Sequence, residues 1–407
     1  MYIIIGQGAA GSSAARTLRR LKPDVPITVI TQERDSFYSR IDLPDVIKGK
    51  RSSEDATLMT ADSFAELNIA CRMGEKVARI LPGERAVELE SCERLTYTKL
   101  LLATGSRPIL PPIPGIDAKG VFTLWTLADA RAIVEASASA KHAVVAGAGL
   151  IGLKTALALK ARGLNVTIVE RLPAIMPRQL DTHGALMIAE RLNAEDITVF
   201  TGTSATEVLA KNGTICAVKT DKGELPCDLL VSAVGVRASV DLARDAGLEV
   251  GLAITVNSKQ QTTDPHIFAA GDASEARDCL SEACVVPAIW PVAVEQGRIA
   301  AYNMVNRPLE GNHCLAMNSV EIAGMPLVSF GEINAGPDDE ELVTRAPGVY
   351  RKLVRRGDRL CGVLFLGDLR QAGVLGNMVQ RKTPIQGKNL LGPQFTAAAL
   401  IPEAPCF

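Results

Sequence analysis

The chain is poor in the residues that mark metal, thiol and nucleic-acid chemistry. Its 407 residues hold four histidines, and its nine cysteines, at 71, 92, 216, 227, 279, 284, 314, 361 and 406, form no C-x-x-C pair. No zinc or iron–sulfur spacing is present either, so the sequence codes no metal site. Charge of one sign is missing too: 44 Lys and Arg stand against 45 Asp and Glu, a net charge of -1. Without a basic arm or an aromatic-basic stripe, a nucleic-acid function is disfavoured. Gly, Lys or Arg breaks every long apolar run well before a membrane span's length. The first expected strand begins at Tyr2, with no room for a signal or transit peptide, so the expected location is cytoplasmic.

What is present is a phosphate-cradling signature, twice. Gly6-Gln7-Gly8-Ala9-Ala10-Gly11 follows the apolar strand Tyr2-Ile3-Ile4-Ile5 and precedes a helix expected over Ser12 to Leu21. Gly147-Ala148-Gly149-Leu150-Ile151-Gly152 follows Ala143-Val144-Val145-Ala146 and precedes a helix expected over Leu153 to Ala161. Each strand must turn sharply into a helix whose free amides and positive dipole end face a pyrophosphate, and only glycine lets the backbone come that close. One such motif is a weak signal, but two in the strand-to-helix context imply two dinucleotides, one flavin and one nicotinamide.

Three further segments extend the pattern. Thr262 to Asp272 reads as a buried strand ending in Gly271-Asp272, Leu101-Leu102-Ala103-Thr104-Gly105 precedes the second glycine loop, and Val231-Ser232-Ala233-Val234-Gly235 follows it. Together these resemble the FAD-dependent pyridine nucleotide-disulfide oxidoreductase superfamily, over nearly the whole chain and in that family's order. The resemblance implies an α/β fold: two Rossmann-like dinucleotide-binding domains, the NAD domain inserted in the FAD domain, plus a C-terminal α+β interface domain. The proline-rich strap Ser106 to Gly115 marks the first crossing. The expected boundaries are 1–113 and 238–307 for FAD, 114–237 for NAD and 308–407 for the interface domain. There a hairpin over Val349 to Leu366 should turn at Gly357-Asp358.

The resemblance also assigns residues. FAD binding falls to Gly6, Gly8, Ala10, Gly11, Ala103, Thr104, Gly105, Gly271 and Asp272, whose carboxylate faces the ribityl hydroxyls, and to Arg40 of Tyr38-Ser39-Arg40. NAD binding falls to Gly147, Gly149, Leu150, Ile151, Gly152 and Gly235. After Val166 to Val169 stands Glu170, about 20 residues past the glycines, so a 2'-phosphate would meet a carboxylate and NADH is preferred over NADPH. Arg171 next door softens that preference. In the first unit Thr31 replaces the usual acid, and Glu33 is assigned to the adenosine ribose, against its reading as a solvated loop acid.

A missing sulfur directs the chemistry. Where the NADH oxidases, NADH peroxidases and coenzyme A-disulfide reductases of the superfamily carry a cysteine, this sequence has Ile41, and no cysteine occurs in residues 1–70. The disulfide-free branch is the better match, the NADH-rubredoxin and ferredoxin reductases and the flavin part of assimilatory nitrite reductases. That implies hydride transfer between NAD(H) and FAD and single-electron transfer between FAD and an electron-carrier protein or iron-sulfur subunit. The alternative is a NAD-handling flavin subunit of a larger metal or iron-sulfur complex, running toward NAD+ reduction in some settings; NADH oxidase chemistry is favoured least.

Other features carry two readings each. Lys154 stands where the family has Glu, either to stabilise charge near nicotinamide and flavin or to rest on the helix surface. Trp290 opens a helix aimed at the flavin or packs in the core. Lys352, Arg355, Arg356 and Arg359 form a docking face for an acidic carrier or guard a sheet edge. Cys279 and Cys284 flank one loop, as a redox pair or as two ordinary thiols. The apolar tail from Asn389 to Phe407 suits a buried contact, within a homodimer or hetero-complex built through the C-terminal domain.

Overall fold

The computed structural model describes residues 1–311, 313–385 and 390. The chain divides into two units: Met1–Ile109 with Thr123–Glu135 and Gly235–Cys314, and Leu110–Phe122 with Ala136–Val234 and Leu315–Phe407. The apolar tail 389–407 and Cys406 lie outside the described residues, Leu390 excepted.

In the first unit the runs Tyr2–Ile5, Ile27–Thr31 and Lys99–Leu102 are rich in Ile, Val and Leu and buried on both faces, the pattern of a parallel sheet. The strand order is Ile267–Ala269, Lys99–Leu102, Tyr2–Ile5, Ile27–Thr31, Ile69–Met73, all parallel, with Ile3 opposite both Thr28 and Leu100. The chain builds outward on one side of its first strand and then crosses to the other. This puts the switch point of the sheet at the end of Tyr2–Ile5, where the first glycine loop begins.

The helix after that loop runs Ala9–Leu21, three residues earlier than expected, because Gly8 itself serves as the N-cap in extended conformation. Its small face, Ala10, Ala14 and Ala15 with Leu18, belongs to the core. The Trp290–Met304 helix packs against it so closely that a Cβ on Gly297 would stand 2.2 Å from the Ala10 carbonyl oxygen. The expected strand from Thr262 is shorter in the structure, Ile267–Ala269. Asp264-Pro265 turns the chain instead, with the His266 amide donating to Asp264 Oδ1 at 2.6 Å. Ser106–Pro108 pairs antiparallel with Val236–Ala238 as an isolated two-stranded ribbon, a setting that tolerates Pro108.

The second unit repeats the plan, with parallel strands in the order Leu229–Ser232, His142–Ala146, Asn165–Glu170 and Ile197–Thr201. The helix after its glycine loop is Leu150–Ala161, again three residues longer than expected. Its C-terminal part is an antiparallel sheet ordered Met317–Ile322, Met325–Gly331, Arg359–Leu366, Val349–Arg356, Glu340–Ala346. Val349–Arg356 and Arg359–Leu366 form the expected hairpin, turning at Gly357-Asp358.

One buried cluster ties this sheet to the helix Thr182–Ala194. Asp181 caps that helix, accepting from the Gly184 amide at 2.9 Å, while its other oxygen accepts from the Tyr350 hydroxyl at 2.6 Å and Lys352 Nζ at 3.2 Å. The Lys352 side chain is 5% exposed and also pairs with Glu341 at 2.5 Å. Burial opposes ionisation of Asp181, but the Tyr350, Gly184 and Lys352 donors outweigh it and hold its pKa below the usual 3.8. Among the described residues no helix is long and apolar enough to cross a membrane.

Candidate functional site

The two glycine loops show which glycines the fold demands. Gly6 has φ +104°, and a Cβ there would lie 2.1 Å from the Ala103 carbonyl oxygen; a Cβ on Gly11 would lie 1.9 Å from that of Gly6. The second loop matches: Gly147, at φ +110°, would meet the Ala233 carbonyl oxygen at 2.4 Å, and Gly152 that of Gly147 at 1.9 Å. The middle glycines differ. Gly8 (φ -64°) and Gly149 (φ -80°) have ordinary backbone, and a Cβ on either would meet nothing within 4 Å.

Among the described residues no packing requires glycine at 8 or 149, and no side chain caps either helix. Each loop therefore presents open space against the first amides of a helix, which lack intrahelical acceptors and carry the positive end of the dipole. Such a cradle fits the pyrophosphate of a dinucleotide, and the fit rests on the chain's own geometry.

In the first unit the remaining predicted residues gather at the same sheet end. Gly271, at φ +76°, sits against Ala10, whose Cβ would be 3.1 Å from a Cβ added there. Its amide donates to Gln296 Oε1 at 2.9 Å, and Ser274 Oγ approaches the same oxygen at 3.4 Å. Asp272 is half-buried, and its Oδ2 accepts from Ser106 Oγ at 2.7 Å. Thr104 Oγ1 donates to the Ser239 carbonyl at 2.8 Å, and Gly105, at φ +66°, makes the turn between them.

Glu33 and Arg40, assigned separately from the sequence, form one ion pair of 2.5 Å. The Tyr38 hydroxyl donates to the second Glu33 oxygen at 2.5 Å and accepts from the Leu127 amide at 3.1 Å. The Arg40 guanidinium stands 5.3 Å from the ring centres of both Tyr38 and Trp125 and donates to the Trp125 carbonyl. Burial raises the Tyr38 pKa above its usual 10, and the Glu33 charge and hydrogen bond add to it against the opposing Arg40 charge, so this hydroxyl keeps its proton. Glu33 is thus engaged by side chains and is not a free loop acid. Trp290 is half-buried and stacks on Phe37 at 5.7 Å and 14°.

In the second unit both Glu170 oxygens are taken by backbone. Oε2 accepts from the Ala148 amide inside the glycine loop and Oε1 from the Leu172 amide, each at 2.7 Å. Lys154 is half-buried in the second turn of Leu150–Ala161 and makes no hydrogen bond or ion pair among the described residues. Gly235, assigned to NAD, groups with the first unit, where its carbonyl accepts from the Ile109 amide at 3.0 Å.

The structure gives contacts for two features that carried two readings each. The basic face on the C-terminal hairpin is neutralised: Lys352 pairs with Asp181 and Glu341, Arg355 with Glu340, Arg356 with Glu332 and Asp339, and Arg359 with Asp358. Its acidic partners are the turn residue Asp358, the helix cap Asp181, Glu340 and Glu341 on the neighbouring strand, and Glu332 and Asp339 beside the strands. The second concerns the two loop cysteines. Cys279 is buried with its amide on the Cys314 carbonyl, whereas Cys284 is exposed, with Sγ 3.1 Å from Glu275 Oε2. The Glu275 hydrogen bond, then desolvation, raise the Cys284 pKa, so its thiol is a poor nucleophile at neutral pH. Ile41, at the position lacking sulfur, is 70% exposed.

Sequence reasoning missed Ser106, Gln296, Tyr38 and Trp125. Ser106 follows a recognised motif directly, but its partner is 166 residues away, and no spacing signals such a bond.

Comparison with known proteins agrees with this architecture. The family model described as pyridine nucleotide-disulphide oxidoreductase matches residues 1–297. A nitrite reductase [NAD(P)H] of Bacillus subtilis is 29% identical over 94% of this chain and 47% of its own length. The chain thus spans about half the length of that relative. The epsilon subunit of an NADH-dependent phenylglyoxylate dehydrogenase of Aromatoleum evansii is 32% identical over 96% of this chain and 95% of its own. Among solved structures, a ferredoxin reductase for the CYP199A2 system of Rhodopseudomonas palustris superposes with a TM-score of 0.88 and 25% identity, covering 95% of this chain and 96% of that one. By the match of its two nucleotide cradles and of the model over residues 1–297, the chain belongs to the pyridine nucleotide-disulphide oxidoreductase family.

Proposed function

We propose that the protein is an FAD-containing oxidoreductase that passes electrons between NAD(H) and an electron-carrier protein or iron-sulfur subunit. The observation that carries the reading is the pair of cradles with unobstructed middle glycines, combined with the absence of cysteine from residues 1–70. Bound FAD would accept a hydride from NADH and release the electrons singly.

The chain's own residues bind and orient. In the first unit Gly6, Gly8, Ala10 and Gly11 hold the flavin pyrophosphate on the helix amides, with Ala103, Thr104, Gly105, Gly271 and Asp272 along the same sheet end and the Glu33–Arg40 pair beside it. In the second, Gly147, Gly149, Leu150, Ile151 and Gly152 hold the nicotinamide dinucleotide, a role the sequence motif also gives Gly235. Glu170 discriminates against a 2'-phosphate, favouring NADH. Lys154 offers an unpaired cation for negative charge, and Trp290 supports the flavin side through its stack on Phe37. The domain limits that go with this are 1–113 and 238–307 for FAD, 114–237 for NAD and 308–407 for the interface domain, in a cytoplasmic protein.

A second reading, a NAD-handling flavin subunit of a larger complex, is favoured by the end-to-end match to the epsilon subunit of a dehydrogenase. Gentle purification from native cells, with the particle mass and the absorbance spectrum before and after NADH, tests both. A single-chain particle whose flavin bleaches with NADH supports the freestanding reductase; a larger particle with iron-sulfur absorbance supports the subunit. A protein without flavin refutes both.

A further inference from the structure

Asp272 uses its two oxygens unequally. Oδ2 accepts from Ser106 Oγ at 2.7 Å, whereas Oδ1 takes no hydrogen bond among the described residues, although the residue is half-buried. Oδ1 is therefore open to a donor from outside the chain, while Oδ2 is held by the protein. Ser106 itself is 7% exposed, so its hydroxyl is not exchanging among water partners.

The backbone around both residues is held. Gln296 Oε1 pins the Gly271 amide, and a Cβ at Gly271 would crowd Ala10. On the other side Ser106 pairs with Ala238 across the crossing ribbon, Ser239 donates its amide to the Gly105 carbonyl at 2.9 Å, and Thr104 returns a bond to Ser239. Donor and acceptor therefore stand on two separately fixed backbones, and the hydroxyl is the side-chain link between them.

We propose that Ser106 is a positioning residue for the flavin site: it fixes the Asp272 carboxylate through Oδ2 and so presents Oδ1 to the sugar-alcohol hydroxyls of the cofactor. The chain's crossing ribbon thereby sets the orientation of the ligand that grips the flavin. This rests on the reading of Asp272 as a flavin ligand.

The experiment uses the full chain, stripped of flavin and titrated with FAD while flavin fluorescence is followed, in S106A, S106T, D272A and the S106A/D272A double variant. S106A should weaken FAD binding about tenfold, the scale of one hydrogen bond to a charged acceptor. S106T, which keeps the hydroxyl, should stay within about twofold of the parent, and the double variant should bind no more weakly than D272A, because Ser106 acts only through that carboxylate. Unchanged affinity in S106A, failure of S106T to restore it, or additive losses in the double variant would each overturn the inference. Should S106A not fold, a comparison of S106T with the parent and D272A decides: tenfold weaker binding in S106T refutes the role, and retention supports it. If D272A binds FAD like the parent, the assignment of Asp272 fails and the inference falls with it, a result distinct from weak binding in D272A with normal binding in S106A.

Discussion

Replacing Gly8 with alanine should leave the folded chain intact while crippling its hold on FAD, whereas replacing Gly11 should destabilise the fold itself. At Gly8 the added methyl meets nothing within 4 Å, and φ -64° suits alanine. The smaller entropy of the unfolded chain favours Ala by about 0.4–1 kcal/mol, and the N-cap preference for Gly over Ala opposes it by about 0.5–1 kcal/mol. The flavin-free midpoint should thus move by less than about 2 °C. At Gly11 the methyl would stand 1.9 Å from the Gly6 carbonyl oxygen, a backbone atom that has no rotamer to retreat into. A cost of about 3 kcal/mol follows, or a fall of roughly 6–12 °C. Calorimetry of the flavin-free variants measures the first effect, and fluorescence titration with FAD the second, where Gly8→Ala should lose at least about tenfold. If Gly8→Ala folds normally and binds FAD like the parent, the open space at Gly8 is not a cofactor cradle and the reasoning fails.

Other consequences are open to direct measurement. Lys154→Glu should slow flavin reduction by NADH about tenfold in stopped flow, since it exchanges an unpaired cation for an anion, an effect of about 1.4 kcal/mol; an unchanged rate would return Lys154 to the helix surface. Glu170→Gln should shift the NADPH to NADH preference in kcat/KM about tenfold toward NADPH, and equal losses with both coenzymes would mean that the carboxylate only braces Ala148 and Leu172. Asp181→Ala should cost about 3 kcal/mol in denaturant unfolding, because it strips a cap and leaves Lys352 buried with only Glu341, whereas Asp181→Asn, which keeps the cap, should cost less at neutral pH and lose the acid dependence. The sign follows from its depressed pKa: the stabilisation is full above the unfolded value of 3.8 and is lost as pH falls through the lower folded value. An unfolding free energy whose acid slope is the same in parent and Asp181→Asn would disprove that coupling.

The sequence by itself determined the two strand-loop-helix cradles, the hairpin near its observed limits, and the absence of a cysteine from residues 1–70. These are local matters: a glycine spacing, an apolar run and a turn dipeptide act within a few residues, and an absent cysteine needs no fold to be noticed. Helix starts moved by three residues because Gly8 and Gly149 act as caps without a capping side chain, a choice made by the loop's geometry. Only the tertiary structure decided which groups meet. Glu33 found Arg40 and Tyr38, Asp272 found Ser106 across 166 residues, and the basic hairpin found acids outside itself such as Glu332 and Glu340. It also separated the glycines the backbone requires from those left open, because steric demand depends on what the rest of the chain brings within 4 Å of a missing Cβ.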